Sequence, residues 1–278
     1  WLKAAHPLPP PFFAASPAPV RCSPLVFGKM YMQRLGDSSL TGLNVREQAS
    51  IVEALTAIIG QEVEMANKYK ILAKDGPEMF FAAEQTNCCQ RQMKQCAPDC
   101  APWNLAIMYT ENGNNMKAFN MKRDMTCTCL CFNRPVVEMT DANDGRKLGS
   151  IKDPWACMDL TFQVRGPDDE PVMNAKGGCC QCGLCCPLPC GPCAEVNFNV
   201  EDMNGNQVGS LKKKVPGCCK FFLAPDVDHF DVDFGGVSDP SQRALLLGLA
   251  IFMDFRYFNE NPNDDDGGLL GAGDGGAE

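Results

Sequence analysis

Histidine is nearly missing from this chain, at two residues in 278. Without a histidine-based triad, a nucleophile elbow or a phosphate-cradling glycine loop, the sequence does not read as a hydrolytic enzyme. A surplus of basic residues is missing as well. The formal net charge is −9 and the pI is near 4.8, which argues against bulk electrostatic binding to nucleic acid and leaves only a local patch open. The N-terminal stretch does not read as a secretory signal, because Pro7 and Pro9 to Pro11 interrupt any apolar segment, so a reducing cytosolic compartment is expected. The chain begins at Trp1, not Met, which reads as a fragment or a misjudged gene start, with Met30 or Met32 as alternative beginnings.

Cysteine, by contrast, is abundant. The 18 cysteines fall in tight clusters with adjacent pairs such as Cys88-Cys89 and Cys218-Cys219, unlike the spread of a disulfide framework. A second concentrated signal lies near the end, where Asp239-Pro240-Ser241-Gln242-Arg243 leads into an apolar run reaching Phe258. Asp239 suits the N-cap, Pro240 the first helical position and Gln242 a capping box, and Asn261-Pro262 stops the element. Apolar residues occupy every face of this helix, which places it inside a protein core or a bilayer. Ala244 to Met253 supplies about half of the ~20 residues that a span needs, and Asp254 and Arg256 close its far side. A core helix over 240–258 is expected, with a membrane span as the alternative.

Residues 1–40 are rich in Pro and Ala without periodicity and read as a disordered leader, whose Pro9-Pro10-Pro11 is either a polyproline ligand for protein partners or a spacer. Over 41–66, Ile51, Val52, Leu55, Ile58, Ile59 and Val63 recur at helical steps and predict an amphipathic helix. From Asn67 to Phe234 the pattern is one of short apolar or alternating runs separated by Asp75-Gly76, Asn112-Gly113, Asp144-Gly145 and Asn204-Gly205, which are hairpin signals, and 67–259 with its core helix is expected to be one barrel domain. Asp144 to Lys152 echoes Asn204 to Lys212, a repeated strand-turn-strand unit. Many antiparallel strands followed by one all-apolar helix predict a mainly β protein, a sheet closed into a barrel with the helix as its filling. The acidic, Gly-rich tail 260–278 is expected to be disordered.

Several separated motifs are together more specific. Asn67-Lys68-Tyr69-Lys70-Ile71, then Phe80 to Cys89, and Asp226 to Phe234 running into Ala244 to Phe258, resemble the phospholipid scramblase family over roughly Leu43 to Phe258. The resemblance implies a tubby-like fold, a closed antiparallel β-barrel around a central hydrophobic C-terminal helix. It also implies calcium-dependent movement of phospholipids between leaflets, without covalent catalysis, by a palmitoylated domain at the cytosolic face of the plasma membrane.

Its site residues follow from the same resemblance. The family's acylated cysteine block corresponds to Cys127, Cys129 and Cys131, which a strand would point one way, toward acylation at a membrane or toward burial. More than one acyl chain is expected because a single chain anchors only marginally. The family's calcium segment corresponds to Asp226 and Asp228, but its closing carboxylate is replaced by Val237. Asp231 and Asp233 either rebuild a site or form the solvent face of a strand, and His229 is a turn residue or a further ligand. Cys179, Cys182, Cys190 and Cys193 have spacings that fit a zinc site, extra acylation or a plain loop. Lys212, Lys213, Lys214 and Lys220 form the one basic stretch, which reads as a headgroup patch, an import signal or a solvated turn. Phospholipid membrane is the expected partner, with homo-oligomerisation open and the nucleus or cytoplasm as alternative locations without acylation. A membrane-tethered adaptor that binds lipid headgroups or proteins is the alternative function.

Overall fold

The computed structural model describes residues 30–47, 67–74, 76–85, 87–97, 100–128, 131–157, 159–185, 191–214 and 229–258. Twelve antiparallel strands close into a barrel in which each pairs with its neighbours in sequence. They are β1 (Gly42–Glu47), β2 (Lys68–Ala73), β3 (Glu78–Glu84), β4 (Trp103–Glu111), β5 (Asn114–Arg123) and β6 (Val136–Asp141). Then follow β7 (Lys147–Lys152), β8 (Asp159–Arg165), β9 (Pro171–Gly178), β10 (Glu195–Asp202), β11 (Gln207–Lys214) and β12 (His229–Asp233). β1 shuts the ring against β12, pairing Leu43 with Val232 and Val45 with Phe230. The expected closed antiparallel barrel around a hydrophobic C-terminal helix is the fold the chain adopts.

Alternation decides which side faces inward. Val196, Phe198 and Val200 of β10 and Phe230 and Val232 of β12 are all buried, while the residues between them are half-buried or exposed. The hairpin dipeptides occupy the short turns, with positive φ at Gly113, Gly145 and Gly205. Because the strands alternate in direction, these turns share one end of the barrel, and the long connections β3–β4, β5–β6, β7–β8 and β9–β10 share the other. Each echoed segment carries a bulge: the register skips Leu148 just before Gly149 in β7 and Val208 just before Gly209 in β11. A Cβ on Gly149 would stand 2.1 Å from the Arg165 carbonyl oxygen, and one on Gly209 2.7 Å from that of Asp233. Backbone approach therefore keeps both positions glycine.

The central helix, Pro240–Met253, starts at the short-turn end, where the Asp239 carboxylate accepts the Ser241 N–H at 3.2 Å. Every residue from Arg243 to Met253 is buried, which accounts for apolar character on all faces. A π-helical turn, Asp254–Phe258, continues it to the long-connection end. There Phe255 stacks on Trp103 of β4, Tyr257 meets Phe162 of β8 and Phe258 meets Phe230 of β12 edge-on. The wider turn thus spreads its side chains over several walls. No helix among the described residues is long and apolar enough to cross a membrane.

Two expectations at the N-terminal side need correction. Within the expected leader, Met30–Gly36 is a helix that plugs the short-turn end, with Tyr31 and Leu35 at 0% exposure. Arg243 fastens it by donating to the Leu35 and Asp37 carbonyls at 2.7 and 2.8 Å. Seven residues are too few for helical periodicity to show in sequence. Within the expected amphipathic helix, Gly42–Glu47 is instead strand β1, because both flanking strands offer it ladder hydrogen bonds. Ile51 to Val63, the rest of the leader and the acidic tail lie outside the described residues.

Four raised phenols make this fold sensitive to alkali, with Tyr31, Tyr69 and Tyr109 in the interior and Tyr257 part-exposed at the long-connection end. Burial holds Tyr69 well above the ordinary value of 10.0. Burial and the bond to Asp141 raise Tyr31 likewise. Burial and then the Asp153 charge push Tyr257 up to about 12. A phenol raised on folding contributes its full stability below its unfolded value and loses it as pH climbs through the folded one. The melting temperature is therefore expected to fall between about pH 10 and 12. Tyr257→Phe should make that decline shallower, and identical declines in parent and variant would contradict the assignment.

Candidate functional site

Polar chemistry concentrates where the central helix emerges among the long connections. Asp153, which follows β7 and is 1% exposed, accepts from two arginines through one oxygen. Arg134, from the β5–β6 connection, and Arg256, from the helix end, both bond its Oδ2, the latter at 3.0 Å. The Tyr257 hydroxyl donates to Oδ1 at 3.4 Å, and the Arg134 Nε donates to the Asp153 carbonyl at 2.9 Å. A buried carboxylate needs such compensation, and this one ties two loops and the helix together. Above it opens a cleft of about 290 Å³ with Trp155, Asp159 and Thr161 on its walls.

Inside the barrel lies a second cluster. Asp254 is 2% exposed and accepts from Lys213 Nζ at 2.9 Å and from the Tyr69 hydroxyl at 2.8 Å. The Lys213 ammonium also lies 4.9 Å from the ring centres of Phe230 and Phe258. This corrects the expected basic patch. On β11 the three lysines alternate: Lys213 points inward and is 3% exposed, while Lys212 pairs with Glu195 and Lys214 with Asp231 outside. Three consecutive lysines on a strand cannot share a face. Lys220 lies outside the described residues.

The expected calcium residues are divided in the same way. Asp226 and Asp228 lie outside the described residues. Asp231 and Asp233 stand on the outer face of β12, the first paired with Lys214 and the second with Lys74 at 2.9 Å. Burial opposes ionisation of Asp233, but the Lys74 bond and the Gly235 N–H outweigh it and hold the carboxyl below its ordinary range. Of the two expected readings this arrangement matches the solvent face of a strand, with each carboxylate paired to a lysine and the apolar Val237 buried beyond them. His229 is half-buried in the strand ladder opposite Lys214 and Arg46.

Cys127 and Cys131 lie in the β5–β6 connection and are exposed, beside Met125 at 59% and Phe132 at 70% exposure. The connection is irregular at Cys127, and the expected strand geometry is absent there. A hydrogen bond with Cys100 raises the Cys127 thiol above its ordinary range. Cys129 lies outside the described residues. Of the expected zinc set, Cys179, Cys182 and Cys193 fall in the β9–β10 connection, and Cys190 lies outside the described residues. Cys179 contacts its neighbour Cys180 at 3.6 Å, which raises its thiol. No cluster of three metal-ligating side chains occurs among the described residues.

Sequence reasoning missed both buried carboxylate clusters. Asp254 and Arg256 were visible as charges closing an apolar helix, and a charge in a buried helix requires a partner. The partners, at positions 69, 134, 153 and 213, are assembled only by the barrel.

Comparison with known proteins gives one consistent result. The family model described as Scramblase matches residues 38–260. The chain is similar to phospholipid scramblase 2 of Bos taurus, 28% identical over 250 residues covering 89% of this chain and 76% of that protein. It is similar to phospholipid scramblase 1 of Mus musculus at 25% identity, covering 92% and 70%. Phospholipid scramblase 1 of Homo sapiens is 24% identical, covering 92% and 72%. No solved structure matches it significantly.

Proposed function

Because this chain belongs to the Scramblase family, we propose that it moves phospholipids between bilayer leaflets, in both directions and without covalent catalysis. The observation that carries this reading is the extent of the family match. Residues 38–260 take in the whole barrel, its closing strand β1 and the helix that fills it. In this proposal acyl chains on Cys127, Cys129 and Cys131 hold the barrel at the cytosolic face of the plasma membrane. Two of these cysteines are exposed on one connection, and more than one chain is needed for stable anchoring. Any calcium requirement attaches to Asp226 and Asp228, since Asp231 and Asp233 already hold lysines.

One feature favours a second reading. The helix fills the barrel interior, so a charged headgroup finds no polar path along the barrel axis. A membrane-tethered adaptor that binds lipid without moving it accommodates that filled core. Purified protein in liposomes with fluorescent lipid, with and without calcium, separates the two. Calcium-stimulated scrambling that persists in Asp231→Asn/Asp233→Asn is the expected result. Folded, membrane-bound protein that leaves leaflet exchange at the rate of empty liposomes would support the adaptor instead.

A further inference from the structure

Exposed apolar side chains are unevenly divided between the two ends of the barrel. Seven large ones are exposed among the described residues. Five of them, Met125, Phe132, Val136, Trp155 and Tyr257, stand at the long-connection end. At the opposite end are Met30, which opens the plugging helix, and Met203 in the β10–β11 turn, beside polar turn residues such as Asp202 and Asn204. The Arg134–Asp153 bond ties the two loops that carry Phe132 and Trp155, so both project from one braced platform. Ten cysteines whose side chains are described, none of them buried, share this end as well.

Charge at the platform is balanced. Arg134 and Arg256 face Asp153 and Asp159 around the cleft, and Lys122 pairs with Asp124 at 2.8 Å where β5 ends. In a protein of net charge −9, such a surface gains nothing from anionic lipid. It suits a layer that itself carries paired charges, with amphipathic aromatic rings at headgroup level and guanidiniums reaching into the polar zone.

We propose that the long-connection end docks on a zwitterionic phospholipid surface, inserting Met125, Phe132 and Trp155 at the level of the headgroups. The proposal rests on the phospholipid reading of the family and adds which face meets the membrane. It works without acyl chains, which would strengthen contact at the same end.

The test uses the full 278-residue chain produced without acylation. Probes are vesicles of phosphatidylcholine whose acyl chains carry bromine near the headgroup. In a Trp1→Phe background tryptophan fluorescence should be quenched on binding, and adding Trp155→Phe should remove most of that quenching, since the remaining Trp103 is 2% exposed. Phe132→Ser/Trp155→Ser should lower vesicle partitioning on the order of tenfold, equivalent to about 1.4 kcal/mol. Met203→Ser, at the opposite end, should leave it unchanged, and adding phosphatidylserine should not strengthen it. Melting curves matching the parent establish that the variants are folded.

Equal partitioning of the double variant and the parent overturns the proposal, as does binding that requires phosphatidylserine. A dimer that the double variant dissociates also overturns it and assigns the face to a second copy. Docking through this face without lipid exchange defeats the transport reading and leaves the docking assignment standing. Exchange that survives in the double variant at unchanged partitioning does the reverse.

Discussion

Asp254→Ala is expected to destabilise the barrel by about 3–5 kcal/mol, the range for removing one partner of a buried ion pair. Lys213 is 3% exposed and donates to Asp254 Oδ1 beside Phe230 and Phe258, so the variant removes a carboxylate that this buried ammonium holds directly. Tyr69, at 1% exposure, loses the acceptor of its hydroxyl in the same step. Aromatic faces compensate part of a buried cation, on the order of 2 kcal/mol when desolvated, which is less than the carboxylate supplied. Replacing both charges should recover part of the loss, because the desolvation cost of the buried ammonium is removed together with its carboxylate. Urea unfolding of the parent, Asp254→Ala, Lys213→Met and Asp254→Ala/Lys213→Met would measure this as a double-mutant cycle. A single variant within about 0.5 kcal/mol of the parent would show that the pair is not part of the folded core.

Gly248→Leu comes next, at about 1–3 kcal/mol or more. Gly248 sits midway along the central helix. A Cβ placed there would meet Met139 Sδ at 3.2 Å and Ile151 Cδ1 and Met121 Cε at 3.3 Å, all from the β5–β6–β7 wall. Two of these neighbours are flexible methionines that can yield a few tenths of an ångström, so Gly248→Ala should cost little and recover helix propensity. Leucine adds three more carbons to a barrel that cannot expand without breaking its closed ladder. The expected signature is a graded series, alanine near the parent and leucine far below it, in chemical denaturation. Were leucine to unfold as the parent does and lose only membrane retention, the helix would belong to the bilayer and not to the core.

These variants and the surface set address different layers of the molecule. Asp254 and Gly248 report on the filling of the barrel, and Phe132 and Trp155 on its exposed end. A stability loss in the first group with unchanged vesicle partitioning of the folded fraction would keep the two layers separate.

Much of the fold was legible in the residues alone. Hairpin dipeptides marked short turns, alternation in β10 and β12 marked the inward face, and the all-apolar helix required something to enclose it. Each of these is a local signal, repeated every two residues along a strand or every three to four along a helix, and local physics suffices to generate it. Charged residues deceived where a pattern had two meanings. Three lysines in a row read as a patch, yet the period of a strand sent Lys213 inward.

What only the tertiary structure decided was who meets whom across the ring. Tyr69 reaches Asp254 over a separation of 185 residues, and Lys213 over 41. Gly42–Glu47 became a strand because closing the barrel supplied partners on both edges, while Met30–Gly36 became its plug through Tyr31, Leu35 and Arg243. Short segments carry too few residues to specify themselves, so long-range pairing and burial choose their conformation. The strand alternation, the core helix and the family resemblance belong to the sequence. The buried ion pair, the Arg134–Asp153–Arg256 brace and the gathering of exposed apolar side chains around it arise only on closure of the barrel.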